Sequence, residues 1–284
     1  MFNKVTCLAS CLAAGCLITT AAGASRSVQE LAGELSFTAG TGDYWSAAVL
    51  VGGIGVEAAS YAPIPAAGKA PVREEVVSAS SVAQLIAGLQ DAVAAGDWAA
   101  VARDASALQK PLTLLDQRQP AAERLSRFAA TLAAQGKQGT KASPAALCHL
   151  SDLAVASGRF SDAERYAQNS LAAAQAFPET HRQIMLMRGW TLIGVARLKQ
   201  GILAGAIDAL HQSLADLPPS IGAGIGPSMR LAKELLSAGQ TAEVAQYVSQ
   251  CASHHWNAGG AALAAWQTQI ASGKIPDFGV NRLF

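Results

Sequence analysis

The amino-acid sequence predicts an all-α protein that contains a short array of antiparallel helical hairpins. Apolar residues make up 51% of the 284-residue chain and charged residues 14%. This balance excludes a disordered chain and suits closely packed helices. Glycines stand where helical patterns end, and no sustained alternation of β-branched or aromatic residues indicates strands. The length is sufficient for one or two domains with their own cores.

The first 24 residues have the order of a secretory signal peptide. Lys4 supplies the positive charge, an apolar stretch runs from Val5 to Ile18, and small residues lead to Ala24. This order predicts cleavage after Ala24 and export, so we expect a periplasmic or secreted protein. An N-terminal membrane anchor is the alternative, although a spanning helix needs about 20 apolar residues.

The same segment contains cysteines whose surroundings resemble bacterial lipoprotein boxes. Leu12 to Cys16 and Leu8 to Cys11 each place a cysteine after small residues. Cys16 fits better because a longer apolar region precedes it. Lipidation at Cys16 would hold the protein to a membrane, and this is the one form of membrane association that the sequence predicts.

Four segments follow the leader. Residues 25–62 look helical but irregular, because their Gly-Gly-Ile-Gly run would weaken a helix. Residues 63–79 contain Pro63, Pro65, Gly68 and Pro71, which is typical of a linker. Residues 80–142 form a helical region with a divergent hairpin around Gly96. Residues 143–284 form the main hairpin array, with a C-terminal helix and tail.

One segment of the main array carries a repeat pattern, formed by Trp190, Ile193, Gly194, Gly201, Ala206 and Pro218. The spacing resembles the tetratricopeptide repeat, a 34-residue helix-turn-helix with W-x2-L-G-x2-Y, then A-x3-F, then P. Arg197 stands where the repeat has an aromatic residue, and Leu210 stands where it has Phe. The resemblance implies a hairpin whose small residues let two helices approach closely.

The spacing from turn glycine to small residue recurs more faintly on both sides, at Gly158 with Ala163 and at Gly239 with Val244. The three turn glycines are 43 and 38 residues apart, so we expect hairpins longer than the consensus. A non-repetitive helical bundle is the alternative. Residues 226–281 are also similar to the ends of uncharacterised bacterial tetratricopeptide-like exported proteins, which implies a fold rather than an activity.

Removal of the leader leaves two cysteines, Cys148 and Cys251. The hairpin register places them beyond the ~7 Å Cα separation that a disulfide spans, which predicts two buried free thiols. Cys251 and His254 share a helix face, so an envelope metal-handling protein or enzyme stays open as an alternative function. A structural zinc site needs four ligands. Because a second ligand pair is missing, we predict no metal and no cofactor.

Charge and motifs favour a binding protein over an enzyme. Lys plus Arg number 21 and Asp plus Glu number 20, with no basic run that could follow a nucleic-acid backbone. The chain has no phosphate-binding loop, nucleophile elbow or zinc-helix motif. We expect a non-enzymatic scaffold or adaptor that binds a protein or peptide in the bacterial cell envelope. A purely structural assembly subunit is the alternative.

Polar residues on or near the first helix of the best repeat are candidates for partner binding. First helices line the concave surface of such arrays, and arginine can bind the carboxylates or backbone of a partner. The candidates are Arg188, Arg197, Lys199 and Gln200. The alternative is that these four side chains are ordinary solvated groups.

Overall fold

The computed structural model describes residues 28–40, 42–61, 78–137, 142–176, 179–215, 226–253, 256 and 259–282. Within these ranges the secondary structure is helical and includes no strand, which confirms the all-α prediction. Several sequence predictions lie outside the described residues: the signal peptide at 1–24, the lipidation site Cys16, residues 63–77 of the linker and the closing Pro218.

The chain divides into two compact units, Met1–Lys141 and Ala142–Phe284. In the first unit, α2 packs against α1 and α4, and α3 packs against the same two helices. Side chains from α1 to α4 share one apolar core. The described helices of this unit are α1 (Val28–Gly40), α2 (Tyr44–Tyr61), α3 (Ala79–Ala95), α4 (Trp98–Gln117) and α5 (Ala121–Lys137).

The N-terminal segment, which the sequence predicts to be irregular, contains two regular helices. α2 continues through Gly52, which is buried, and through Gly55. A Cβ at Gly55 would lie 3.5 Å from the Cβ of Ala105, so the glycine brings α2 close to α4. Each glycine weakens a helix by about 1 kcal/mol. Burial of apolar neighbours such as Ile54 in the shared core outweighs that loss.

This segment also belongs to the same unit as the helical region that follows it. Leu35 of α1 and Leu108 of α4 lie in one core. The linker predicted at 63–79 therefore does not separate two packed bodies, and the division falls after residue 141. The apolar pattern of a single helix is local and does not specify which other helix covers it.

The second unit is a series of helical hairpins. Consecutive helices from α6 to α12 pack against each other, and the alternate helices α6, α8 and α10 are also in contact in that order. The helices are α6 (Pro144–Ala156), α7 (Phe160–Ala174), α8 (Glu179–Lys199), α9 (Leu203–Ala215), α10 (Arg230–Ser237), α11 (Thr241–Ser253) and α12 (Gly260–Ala271), followed by a 3₁₀ turn at Gly279–Arg282.

The second unit contains three hairpins, α6–α7, α8–α9 and α10–α11. The two helices of each hairpin are joined by a turn of the same type. Gly158, Gly201 and Gly239 have φ angles of 73°, 79° and 80°, which glycine adopts without a Cβ penalty. The N–H after each glycine donates to the carbonyl five residues earlier, at 2.8, 2.9 and 2.9 Å, as in a Schellman motif. Gly96 between α3 and α4 has the same bonding. Gly136, by contrast, lies inside α5 rather than after a helix.

The three hairpins share a register counted from the turn glycine. Ala163, Ala206 and Val244 lie five residues after it, and each has 0% exposure. The position seven residues before it is a small, buried residue in all three: Ser151, Gly194 and Ala232. Small residues at recurring positions allow neighbouring helices to approach closely.

Gly194 lies where α8 meets both α9 and α10. A Cβ at this position would be 2.1 Å from Leu231 Cδ2 and 3.2 Å from Ala209 Cβ. Ile193 beside it is buried, and Trp190 packs against the same core while remaining partly exposed. Gly194 therefore lies at a close contact between the second and third hairpins.

Cys148 and Cys251 are buried free cysteines, as predicted. Cys148 Sγ lies 3.1 Å from Ser170 Oγ, within hydrogen-bonding distance. The two cysteines lie on helices of different hairpins, α6 and α11. This placement confirms the prediction of two buried thiols without a disulfide.

The C-terminal residues fold back onto the start of α10. Phe278 is buried edge-on against Trp266, with ring centroids 5.0 Å apart. The Met229 N–H donates to the Asn281 carbonyl at 2.7 Å, and Asn281 Nδ2 donates to the Pro227 carbonyl at 3.1 Å. The tail thereby fixes the segment that leads into α10.

Candidate functional site

Three of the four predicted partner-binding residues connect neighbouring hairpins at the end of α8. Arg197 Nε donates to Glu164 Oε1 of α7 at 2.8 Å, and Gln200 Nε2 donates to Glu164 Oε2 at 3.4 Å. Lys199 Nζ donates to Glu234 Oε2 of α10 at 2.7 Å. Acidic side chains of the protein itself therefore engage all three.

The fourth candidate, Arg188, belongs to a different cluster. Arg188 Nη2 donates to Asp152 Oδ2 of α6 at 3.0 Å. Arg230, the first residue of α10, donates through Nη1 to the other carboxylate oxygen, Oδ1. The first helix of each hairpin contributes one member. We call these three residues the Arg–Asp–Arg cluster, and the surface formed by α6, α8 and α10 the first-helix face.

The Arg–Asp–Arg cluster is partly open to solvent. The side chains of Asp152, Arg188 and Arg230 are 23%, 25% and 29% exposed. The three side chains are therefore neither fully buried nor fully solvated. Two guanidinium charges against one carboxylate give a net charge of +1. A net positive charge favours an anionic ligand, and charges interact more strongly as the effective dielectric falls.

The two guanidinium groups keep Asp152 ionised. Burial alone would raise its pKa, but the charges and hydrogen bonds of Arg230 and Arg188 hold the pKa of Asp152 below its ordinary value. Burial also opposes the charge of Arg188, yet the nearby Asp152 and Cys148 leave the pKa of Arg188 raised. Asp152 and Arg188 are therefore both charged at neutral pH.

Each guanidinium uses only one of its nitrogens on Asp152. Arginine carries five N–H donors in a planar fork that matches the two oxygens of a carboxylate. Within the described ranges, each arginine forms one hydrogen bond to Asp152, and Cys148 also lies near Arg188. Each guanidinium therefore has N–H groups that Asp152 does not accept.

Two arginines also surround one aspartate elsewhere in the second unit, but that arrangement is more exposed and does not connect different hairpins. Asp162, in the first turn of α7, pairs with Arg159 and Arg165. One helix and its preceding residue supply all three side chains, and the arginines are 51% and 56% exposed. Exposed ion pairs of this kind contribute little. The arrangement is therefore a useful control for the cluster on the first-helix face.

Sequence reasoning identified Arg188 but missed Asp152 and Arg230. Comparison of equivalent positions in the hairpins could have identified both residues. Counted from the turn glycine, Asp152 occupies the position of Val195 in the second hairpin, and Arg230 occupies the position of Leu192. Both of those residues are buried. A charged residue where a neighbouring copy buries an apolar one indicates a polar contact between first helices.

Cys251 is poorly placed for metal binding or nucleophilic catalysis. Its side chain is buried, and burial raises the pKa of the thiol well above its ordinary value, so the reactive thiolate is disfavoured. His254 lies outside the described residues. In the part of the chain that the structure describes, no group of three or more His, Cys, Asp or Glu side chains could hold a metal ion.

Among the helices described, none combines the length and the apolar character needed to cross a membrane. No protein-family model, curated protein or solved structure matches the chain.

Proposed function

We propose that residues 143–284 form a tetratricopeptide-like array that binds a protein or peptide through its first-helix face, as a non-enzymatic scaffold or adaptor. The observation that carries this proposal is the meeting of three first helices at the partly exposed Arg–Asp–Arg cluster. Stacked hairpins create an extended surface that suits extended or helical peptide segments. The proposal includes export to the cell envelope, in periplasmic form or held by a lipid at Cys16.

The recurring hairpin register supports the tetratricopeptide-like arrangement. Gly158, Gly201 and Gly239 close their hairpins with the same hydrogen bonds. Contacts between α6 and α8, and between α8 and α10, are those expected when hairpins stack side by side with first helices adjacent. The small residue Gly194 at the junction of α8, α9 and α10 supports the same arrangement.

The ion pairs at the end of α8 support a preorganised binding surface. Arg197 with Glu164 joins the second hairpin to the first, and Lys199 with Glu234 joins it to the third. A surface whose helices are already held together loses less conformational entropy when a ligand binds. We therefore assign Arg197, Lys199 and Gln200 to bracing the first-helix face, while Arg188 remains a candidate for contact with the partner.

Site-specific photo-crosslinking in intact cells tests the proposed function. A photoreactive amino acid at Ser237, which is exposed and two turns beyond Arg230 on α10, should capture a partner of defined mass. The matched control is Gln246, which is exposed on the second helix of the same hairpin and should give no such adduct. Equal capture at both positions, or no capture at Ser237, would contradict binding through the first-helix face.

A further inference from the structure

We propose that the Arg–Asp–Arg cluster binds an acidic side chain of the partner, so that the ligand of the first-helix face is an acidic peptide segment. This inference rests on the proposed function, because it names the ligand of the same face. It depends on the charge, the geometry and the surroundings of Asp152, Arg188 and Arg230.

The charge of the cluster is the first argument. Arg197 and Lys199, the other cations where α8 meets its neighbours, each have an acidic partner of their own. In the Arg–Asp–Arg cluster, two cations share one carboxylate. One additional carboxylate would neutralise the excess charge. Electrostatic complementarity of this kind favours an acidic ligand and opposes a basic one.

The geometry of the guanidinium groups is the second argument. Each oxygen of Asp152 accepts from a different arginine, so neither arginine is committed to a two-bond pair with this carboxylate. A guanidinium binds an incoming carboxylate through two parallel N–H bonds, and these charge-assisted bonds are the strong ones in proteins. Asp152 meanwhile restrains both arginine side chains, which reduces the rotamer entropy lost on binding.

The neighbouring Lys233 is the third argument. It lies three residues after Arg230, on the same side of α10, and its side chain is exposed. Within the described part of the chain, Lys233 forms no ion pair with an acidic side chain. An acidic peptide with carboxylates on successive turns or alternate residues could therefore contact both cations. A single free carboxylate would contact only one.

Fluorescence anisotropy with a labelled hexaglutamate peptide tests this inference on the purified full-length protein. We expect binding at low salt that weakens at physiological salt, since screening reduces exposed charge interactions. A hexaglutamine peptide of the same length should not bind. Arg230→Gln, and separately Arg188→Gln, should weaken hexaglutamate binding by about ten-fold or more, a range typical of losing a charge pair at an interface.

Arg165→Gln is the matched control. It removes one positive charge from the exposed arrangement around Asp162, so hexaglutamate affinity should stay unchanged. Thermal unfolding by circular dichroism verifies that each variant folds. Arg230→Lys provides a second test, because it keeps the charge but removes the fork; it should weaken binding less than Arg230→Gln. If Arg230→Gln does not fold, the hexaglutamate affinities of Arg230→Lys and Arg165→Gln are compared instead. The proposal then requires weaker binding by Arg230→Lys than by Arg165→Gln.

Three results would overturn the acidic ligand: no hexaglutamate binding, equal binding of hexaglutamine, or an equal loss in Arg165→Gln. The crosslinking experiment separates this failure from failure of the proposed function. If the adduct at Ser237 persists unchanged in Arg230→Gln, the first-helix face binds a partner of different chemistry. If no adduct forms and hexaglutamate does not bind, both proposals fail.

Discussion

Arg197 of the second hairpin donates through Nε to Glu164 of the first hairpin at 2.8 Å, and the two side chains are 24% and 19% exposed. Arg197 stands where the tetratricopeptide pattern has an aromatic residue. The aromatic side chain would contribute packing between helices, whereas this arginine contributes an ion pair between α7 and α8. Such a partly buried pair is sensitive to charge reversal, because neither group can turn fully into solvent.

Arg197→Glu should destabilise the second unit by about 2 kcal/mol, since it places two carboxylates against each other in a partly buried position. Urea denaturation followed by circular dichroism measures the loss. Lys199→Glu is the control, because it also places a carboxylate against an acidic residue, Glu234. The side chains of Lys199 and Glu234 are more exposed, at 41% and 38%. The loss for this variant should stay below about 1 kcal/mol. Equal losses in the two variants would show that Arg197 is not a brace between hairpins.

Gly194→Ala should destabilise the protein by about 1–3 kcal/mol, although alanine is the better helix former. The new Cβ would lie 2.1 Å from Leu231 Cδ2 and 3.2 Å from Ala209 Cβ, and both of these residues are buried. The control is Gly88→Ala in the middle of α3, where a Cβ meets nothing within 4 Å. That substitution should stabilise by about 0.5–1 kcal/mol. A lower thermal unfolding midpoint for Gly194→Ala and a higher one for Gly88→Ala, each relative to the unmodified protein, would establish close packing at Gly194.

The hairpin turns were predictable from the sequence because their determinants are local. A glycine with a left-handed backbone ends each helix, and the residues that pack nearby follow at fixed short spacings. Gly158, Gly201 and Gly239 therefore identified the hairpins correctly. The same local reasoning was wrong for α2, where burial in the core overrides the low helix propensity of its glycines.

The Arg–Asp–Arg cluster was not predictable in the same way, because its members are far apart in the chain. Arg188 and Arg230 lie 36 and 78 residues from Asp152. Their meeting depends on how three hairpins stack, and the unequal spacing of the turn glycines shows that the combined length of helices and loops varies between hairpins. Local patterns do not specify that stacking. The register locates the unusual charged positions, but only the structure shows that they face one another.

The stability of the second unit should fall in acid because of Asp152. The pKa of this carboxyl is held below its ordinary value of 3.8 in the folded protein. A group with a lowered folded pKa contributes stability above its unfolded pKa and loses it as the pH falls through the folded pKa. Hydrogen exchange of α6 peptides, corrected for intrinsic rates, should therefore show protection that declines below about pH 4. Asp152→Asn should remove this part of the decline, and an unchanged decline would contradict the assignment.

In the first unit, the ionisation of two carboxyl groups should lower stability as the pH rises, which is the opposite of the effect of Asp152. Asp43 accepts hydrogen bonds from the Ser46 N–H and the Thr131 hydroxyl, each at 3.1 Å, and Asp116 pairs with Arg124. Burial is nevertheless the largest influence and raises the pKa of both carboxyls above 3.8. A raised folded pKa contributes stability at low pH that is lost as the pH rises through it.

Asp43→Asn should therefore stabilise the first unit at neutral pH, with a smaller gain as the pH falls toward about 4. The amide keeps an oxygen for the Ser46 N–H and can cap the helix as well as aspartate does. Hydrogen exchange of α2 peptides measures the effect. Asp91→Asn, at an exposed position of α3, controls for the loss of one negative charge. Destabilisation by Asp43→Asn at neutral pH would show that its hydrogen bonds and the nearby charge of Arg127 outweigh burial.

Asn281→Ala should weaken both the fold of the second unit and the binding of hexaglutamate. The substitution removes the buried bond from Asn281 Nδ2 to the Pro227 carbonyl, at a cost of about 1 kcal/mol. Because the tail also holds the Met229 N–H, loss of its anchor loosens the residue that precedes Arg230. Urea denaturation and the anisotropy assay measure the two effects.

The control for this prediction is Asp277→Ala, which removes a local bond to the Gly279 N–H at an exposed position of the same tail. It should change neither stability nor affinity appreciably, because an exposed hydrogen bond exchanges readily with water. If Asn281→Ala lowers stability but leaves hexaglutamate affinity intact, the tail supports the fold without positioning Arg230. A loss of affinity larger than that of Asp277→Ala, at a temperature where both variants are folded, would show that the tail helps to hold the third hairpin's arginine in place.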